Sequence, residues 1–322
     1  MSRNKILITG FSGFVARHFI QFLYENNVEA DICGIDIECP QFDYLHYTGN
    51  IRIQFHLVNL LDNYSLGAVI KDFKPQKILH LASYSSVAYS WRNPVESFVN
   101  NTNIFLNLIS SVGDVNRDCR ILSVGSSEEY GNVKEADLPL LETHPLNPVS
   151  PYAVARVSQE LLSKVYSDGY KMNIILTRSF NHIGPYQSER FVVPGFIRRV
   201  LNIYERGEKE GTIETGDISI VRDFVDVRDV VRAYWLLLCK GTPGQTYNIC
   251  SGIGMPLQEI INLVSNILEL DVKTKVNVDY VRPSDNRMMI GSYDKIFKEL
   301  GWEPEIPLRK TILDMVNEMR TH

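Results

Sequence analysis

Lys5-Ile6-Leu7-Ile8-Thr9-Gly10-Phe11-Ser12-Gly13-Phe14-Val15-Ala16 decides the fold of this chain. The apolar run Lys5 to Thr9 reads as a buried strand, and Phe14 to Asn26 places Phe14, Phe19, Phe22 and Leu23 at helical spacing. Between them lies a G-x-x-G-x-x-A turn. Gly10 permits the tight turn, Gly13 lets the backbone approach a pyrophosphate, and Ala16 allows close helix packing. The helix start then offers free N–H groups and a positive dipole end to phosphate oxygens. Asp36 ends a second strand, Ala30 to Ile37, 20 positions after Ala16. A carboxylate there accepts from adenosine ribose hydroxyls and repels a 2′-phosphate. No arginine follows it closely, so the pattern favours NAD over NADP.

Working outward, Ile78–Ala82, Ile121–Gly125 and Ile174–Arg178 read as further strands, with helical patterns around 64–73, 95–112 and 151–167. Strands alternating with helices imply right-handed crossovers and an α/β fold, a doubly wound parallel sheet. After residue 178 prolines and glycines punctuate shorter elements, which marks a smaller α/β substrate domain. The expected division is a dinucleotide-binding domain over 1–178, to which 222–250 returns, and a second domain made of 179–221 and 251–322. Gly254-Met255-Pro256 is read as the start of a helix with Leu257, Ile260, Ile261, Val264 and Leu268 on one face.

Composition narrows the class. With 44% hydrophobic residues, 22% charged residues and a formal charge of −5, the 322-residue chain has an ordinary globular balance. The densest apolar stretch, Ala233–Cys239, is far shorter than the roughly 18 residues a membrane helix needs. Mild acidity without a basic tract argues against nucleic acid or an anionic membrane as partner. The opening residues show no secretory signal pattern, so a cytoplasmic protein is expected. Five scattered cysteines without a CxxC pair, and dispersed histidines, indicate neither disulfides nor a metal site.

Ser150-Pro151-Tyr152-Ala153-Val154-Ala155-Arg156 starts a helix, with Ser150 as its cap and Pro151 in the first turn. Tyr152 and Arg156 then share one face. A phenol beside a fixed cation can exchange a proton with a sugar hydroxyl or carbonyl while hydride moves to or from a nicotinamide. Upstream, the strand that contains Ile121 runs on into Gly125-Ser126-Ser127-Glu128-Glu129-Tyr130-Gly131.

With these segments in place the chain resembles an extended short-chain dehydrogenase/reductase that modifies nucleotide sugars. It is most similar to the GDP-4-keto-6-deoxy-mannose reductases and the related GDP-mannose 4,6-dehydratases. The matching segments are TGFSGFVARH (9–18), HLASYSSVAYSW (80–91), GSSEEYG (125–131), SPYAVAR (150–156), TRSFNHIGPYQ (177–187), RDFVDVRDVVRAYWLLL (222–238), YNICSG (247–252) and RPSD (282–285). The resemblance implies that Tyr152 is the acid/base, that Ser126 orients the reacting oxygen and that Arg156 stands where the family has lysine. Arginine keeps the charge but cannot copy a point-like ammonium bonded to both ribose hydroxyls. It implies further that Phe11, Ser12, Phe14, Val15, Ile37, Leu60, Leu81, Ala82 and Ser83 join Gly10, Gly13 and Asp36 around the dinucleotide. Ser85 and Ser86 would line the sugar pocket, and Ser127 would join the substrate site. Asn181 would contact the substrate phosphates through its side chain or backbone, and Arg222 and Arg282 would hold the nucleotide diphosphate or its ribose in a GDP-sugar or other nucleotide sugar. Glu128 occupies the place of the dehydratase base, whereas Glu129 is expected to point away.

The implied activity is NAD-dependent hydride transfer at C4 of a nucleotide-linked sugar, with a homodimer formed through the helices near 95–112 and 151–167. The alternatives are 4,6-dehydration using Glu128, epimerisation, and a non-catalytic module that binds NAD or a sugar nucleotide.

Overall fold

The computed structural model describes residues 3–280 and 286–321. The chain begins β1 (Asn4–Thr9), α1 (Phe14–Glu25), β2 (Ala30–Asp36), β3 (Ile51–Leu57), α2 (Asn63–Phe73), β4 (Lys77–His80), α3 (Val87–Arg92), α4 (Pro94–Val115) and β5 (Arg120–Ser126). It continues through α5 (Pro151–Tyr170), β6 (Ile174–Ser179), β7 (Asn181–Ile183), α6 (Val192–Glu205), β8 (Glu210–Thr215), β9 (Val221–Asp226), α7 (Val227–Lys240) and β10 (Thr246–Ile249). Last come β11 (Gly254–Pro256), α8 (Leu257–Leu268), β12 (Asp271–Val276), β13 (Met288–Met289), α9 (Asp294–Leu300) and α10 (Leu308–Arg320).

A parallel sheet in the order β10-β6-β5-β4-β1-β2-β3 forms the centre. Its strands alternate buried residues between two faces. Ile6, Ile8 and Ile32 pack with α1 and α7, while Leu7, Cys33 and Ile35 pack with α2 and α4. Each such side chain, fully withdrawn from water, contributes about 1.5–3 kcal/mol. That two-sided burial makes the inner strands read as unbroken apolar runs. Strand β1 lies between β2 and β4, so the sheet grows in opposite directions from it. This is the switch point, where the carboxyl ends of the strands open a crevice.

A second apolar cluster joins α6, α8 and α10 with Ile213, Ile220 and Phe224. Strand β9 carries this layer, pairing with β7, β11 and β13, and runs directly into α7 against the central sheet. Two elements differ from expectation. Gly254-Met255-Pro256 is a strand antiparallel to β9 rather than a helical turn. Helix α8 starts only at Leu257, with Pro256 extended (φ −61°, ψ 142°) at its cap. Strand β3 has no counterpart among the expected elements; its IRIQFHL sequence alternates because it is an edge strand.

Asp229 fastens the C-terminal segment to α7. Its Oδ2 accepts the N–H groups of Glu305 (3.0 Å) and Ile306 (2.9 Å), its Oδ1 accepts from Arg232, and its carbonyl accepts from Trp302 Nε1. Asp229 is buried. Asp229→Ala should therefore destabilise the fold by about 2–4 kcal/mol, since two backbone donors lose their acceptor. Urea unfolding of the variant beside wild type measures this, and a change below 0.5 kcal/mol (roughly the surface-substitution range) would contradict the clasp.

Candidate active site

One cleft of about 740 Å³ runs along the carboxyl edge of the central sheet. Its floor is the turn between β1 and α1. Gly10 has φ +71°, and a Cβ there would lie 2.8 Å from the backbone nitrogen of Ala82. Only glycine fits both demands. Helix α1 starts at Gly13 with no side chain capping its first-turn N–H groups, leaving them for an anion. Asp36 closes the end of β2, accepting from Ser12 N at 2.8 Å and Ile37 N at 2.7 Å. The lining at that end (Ile37, Gln41, Val58, Asn59, Leu60) includes no lysine or arginine. A dinucleotide fits this floor: a glycine cradle and an uncapped helix start for the phosphates, and a fixed carboxylate for a ribose.

The wall beyond is built by β5 and α5. Ser150 Oγ accepts from Ala153 N at 3.1 Å, with Pro151 at the first helical position, so α5 begins rigidly beside the cleft. Tyr152 and Arg156 follow one turn apart, both buried. Arg156 Nε donates to Tyr152 Oη at 3.2 Å. Its Nη1 donates to Val124 O (3.1 Å) and to Gln159 Oε1 (2.7 Å), and Gln159 Nε2 donates to Ser123 Oγ (2.9 Å). The guanidinium thus bridges helix and strand, which no ammonium could do in the same way. Ser126 Oγ accepts from Glu128 N at 3.2 Å, which leaves the hydroxyl proton for an acceptor in the cleft. Tyr234, a second tyrosine of the wall, is bonded to Ser179 Oγ at 2.7 Å, and burial pushes its hydroxyl well above the usual phenol range. It stays a neutral phenol.

The lining unites most of the expected residues: Gly10, Ser12, Gly13, Phe14, Val15, Asp36, Ile37, Leu60, Leu81, Ala82 and Ser83 on the dinucleotide side, with Ser85, Ser86, Ser126, Ser127, Glu128, Tyr152, Arg156 and Asn181 beyond. Asn101 steadies this wall, accepting from Tyr84 N (2.8 Å) and donating to Tyr84 O (3.2 Å). Two of the expected residues lie outside the lining. Phe11 does not face the cleft; its fully buried ring packs with Phe42, Tyr44 and Phe55, and its N–H is spent on Ile35 O. Arg222 lies outside the lining, buried between β9 and the segment beside it, with Nη1 donating to Val221 O and Asn286 O. Arg282 lies outside the described residues. Glu129 turns behind β5, away from the cleft. The sequence reading missed Tyr84, His182, Tyr186, Gln187, Arg190 and Tyr234, all of which line the cleft. Tyr186, Gln187 and Arg190 come from the irregular segment after β7, where no periodicity or spacing marks them.

In class, the fold and cleft are those of an extended short-chain dehydrogenase/reductase. The family model for GDP-mannose 4,6 dehydratase matches residues 7–315. The chain is 28% identical to GDP-6-deoxy-D-mannose reductase of Pseudomonas aeruginosa, covering 98% of this chain and 97% of that protein. It is 29% identical to GDP-6-deoxy-D-talose 4-dehydrogenase of Aggregatibacter actinomycetemcomitans, covering 98% of each. The solved structure of RMD from Pseudomonas aeruginosa complexed with NADPH superposes with a TM-score of 0.84 at 28% identity, over 99% of this chain and 100% of that one. The chain belongs to the GDP-mannose 4,6-dehydratase family.

Arg156→Lys should retain binding of the dinucleotide but lose about 1–2 kcal/mol of stability, because the bonds to Val124 O and Gln159 Oε1 go with the guanidinium. Urea unfolding and a fluorescence titration check both halves; unchanged stability would contradict the bridging role.

Proposed function

We propose that this protein transfers hydride at C4 of a nucleotide-linked hexose, GDP-linked, with NAD as cofactor. The observation that carries this reading is the Tyr152 hydroxyl fixed 3.2 Å from Arg156 Nε, on the same cleft as Ser126 and the Gly10–Gly13 turn. When bound, the nicotinamide supplies the hydride acceptor or donor. Ser126 donates to the sugar C4 oxygen and holds it beside Tyr152. Tyr152 removes the hydroxyl proton as the carbon becomes a ketone, or returns it in the opposite direction. Negative charge on the Tyr152 oxygen, present before it takes the proton in oxidation and left after it gives the proton in reduction, meets the Arg156 N–H, a donor already in place. Asp36 and the absence of cationic side chains around it in the lining support NAD over NADP. Asn181 and Arg190 also line the cleft and would meet the nucleotide portion of the substrate.

Glu128 also lines the cleft and favours a second reading, 4,6-dehydration, in which it would remove the C5 proton of a 4-keto intermediate. A homodimer through α4 and α5 is supported by exposed apolar side chains on both: Val95, Phe98 and Val99 on one helix, Val154, Leu161 and Val165 on the other. Among the described residues no helix is long and apolar enough to cross a membrane. The five cysteines are unpaired, which supports a reducing, cytoplasmic setting.

Purified protein given NAD with GDP-mannose-type and UDP sugars, followed by sugar mass and reduced-nicotinamide absorbance together, separates the two readings. A two-hydrogen mass decrease with NADH accumulating is expected for C4 oxidation. Loss of one water without net NADH would assign dehydration, and Glu128→Gln should then abolish it. Tyr152→Phe should slow hydride transfer by about 10²–10⁴-fold while dinucleotide affinity stays nearly unchanged; full residual activity would remove Tyr152 from the reaction.

A further inference from the structure

Behind the cleft wall, charged side chains from three elements meet out of contact with water. Glu129 comes from the short 3₁₀ turn Ser127–Tyr130, Glu160 from α5 and Arg178 from β6, and all three are buried. Glu160 is held by two cations. Arg178 Nε donates to its Oε2 at 2.9 Å and Arg178 Nη2 to its Oε1 at 2.8 Å, with Lys164 Nζ on Oε1 at 2.6 Å. Among the described residues Glu129 has no cation in hydrogen-bond contact. Its Oε1 accepts from Ser126 N at 2.7 Å, while its Oε2 faces no donor. The Glu160 carboxylate borders the same small internal gap as Glu129, and its charge bears on Glu129.

Two carboxyl groups in buried contact are satisfied only when one of them carries a proton. Arg178 and Lys164 outweigh burial and hold Glu160 as the anion, so the proton belongs to Glu129. Burial, and then the Glu160 charge, push the Glu129 carboxyl well above the ordinary carboxylate range. The chain makes room for this contact at Gly125, where a Cβ would collide with Glu129 Oε1 and the Thr177 carbonyl.

We propose that Glu129 is a positioning residue for Ser126 and Arg156, held as the neutral acid with its proton donated to Glu160. Its Oε1 fixes the Ser126 N–H, and the Ser126 side chain in return accepts from Glu128 N, so the turn presenting both residues to the cleft is clamped at each end. Neutrality matters because Glu129, Glu160 and Arg156 border the same small internal gap. An ionised Glu129 would draw the guanidinium inward, whereas the acid leaves it directed at Tyr152. The other charged or titratable groups packed here are Arg178, Lys164 on Glu160, and Tyr130 beneath the Arg178 guanidinium. This deepens the reading of Ser126 and Tyr152 as the reacting pair and rests on it.

The test compares wild type with Glu129→Gln and Glu129→Leu. Glutamine can accept from Ser126 N and donate to Glu160, so kcat should stay within about twofold of wild type. Leucine removes both contacts, and kcat should fall about tenfold or more with both KM values little changed. Infrared difference spectra should show a protonated-carboxyl band in wild type that is absent in Glu129→Gln. Because folded Glu129 keeps a proton that the unfolded chain releases, wild type should lose stability relative to Glu129→Gln as pH rises above the ordinary carboxylate range. Below that range the two should converge.

Glu129→Gln as impaired as Glu129→Leu, or no carboxyl band and a stability difference that ignores pH, would overturn the proposal. If Glu129→Leu does not fold, the glutamine variant and the spectra still decide it. An enzyme inactive on every sugar would defeat the catalytic reading, while the infrared and stability arms would still show whether Glu129 holds the proton.

Discussion

Arg156 is the point at which helix α5 and the edge of β5 are tied together. One nitrogen reaches the Tyr152 hydroxyl and another reaches both the strand carbonyl of Val124 and the side chain of Gln159. A guanidinium does this because its donors diverge in a plane; an ammonium concentrates them at one atom. The position of Tyr152 over the cleft is therefore set by strand geometry as well as by helix geometry. The cation also sits in a wall with 5% of its surface exposed, where a charge acts more strongly than it would in water.

The cleft itself follows from the order of the strands. Because β1 lies between β2 and β4, the loops after β1 and β4 diverge and leave a crevice between them. Thr9 spans that division: its carbonyl accepts from Leu81 N, and its hydroxyl contacts both His80 Nδ1 and Ala82 N. The two loops that line the dinucleotide side are thus held at a fixed spacing from within the sheet, and Asn101 holds the continuation of the second through Tyr84. Rigid strand ends carry the site, and the irregular segment after β7 shapes its outer end.

How much of this was legible in the sequence depended on whether an interaction was local. Inner strands were readable because both faces are buried, and the Gly10–Gly13 turn because each glycine answers a local backbone demand. Tyr152 and Arg156 were readable because one helical turn brings them together. Strand β3 was not, since an edge strand alternates polar with apolar residues and follows a turn-rich stretch. The inward burial of Phe11 was hidden because its aromatic partners, Phe42, Tyr44 and Phe55, come from a loop and that same edge strand. The meeting of Glu129 with the Glu160–Arg178 pair behind the wall depends on three elements coming together in space, and no spacing along the chain announces it.

The place of β10 in the sheet has a consequence for how the protein is made. It pairs with β6, and α7 covers the face formed by Ile6, Ile8 and Ile32, yet both elements are encoded after Val227. A nascent chain that has completed β6 has six of the seven strands and the N-terminal helices, but one apolar face still lacks the part of its cover that α7 supplies. That part of the face stays open to water until α7 and β10 have been made. The N-terminal portion is contiguous in sequence but not autonomous as a folding unit, and a release point shortly after β6 would yield an aggregation-prone fragment rather than a half-sized binding domain.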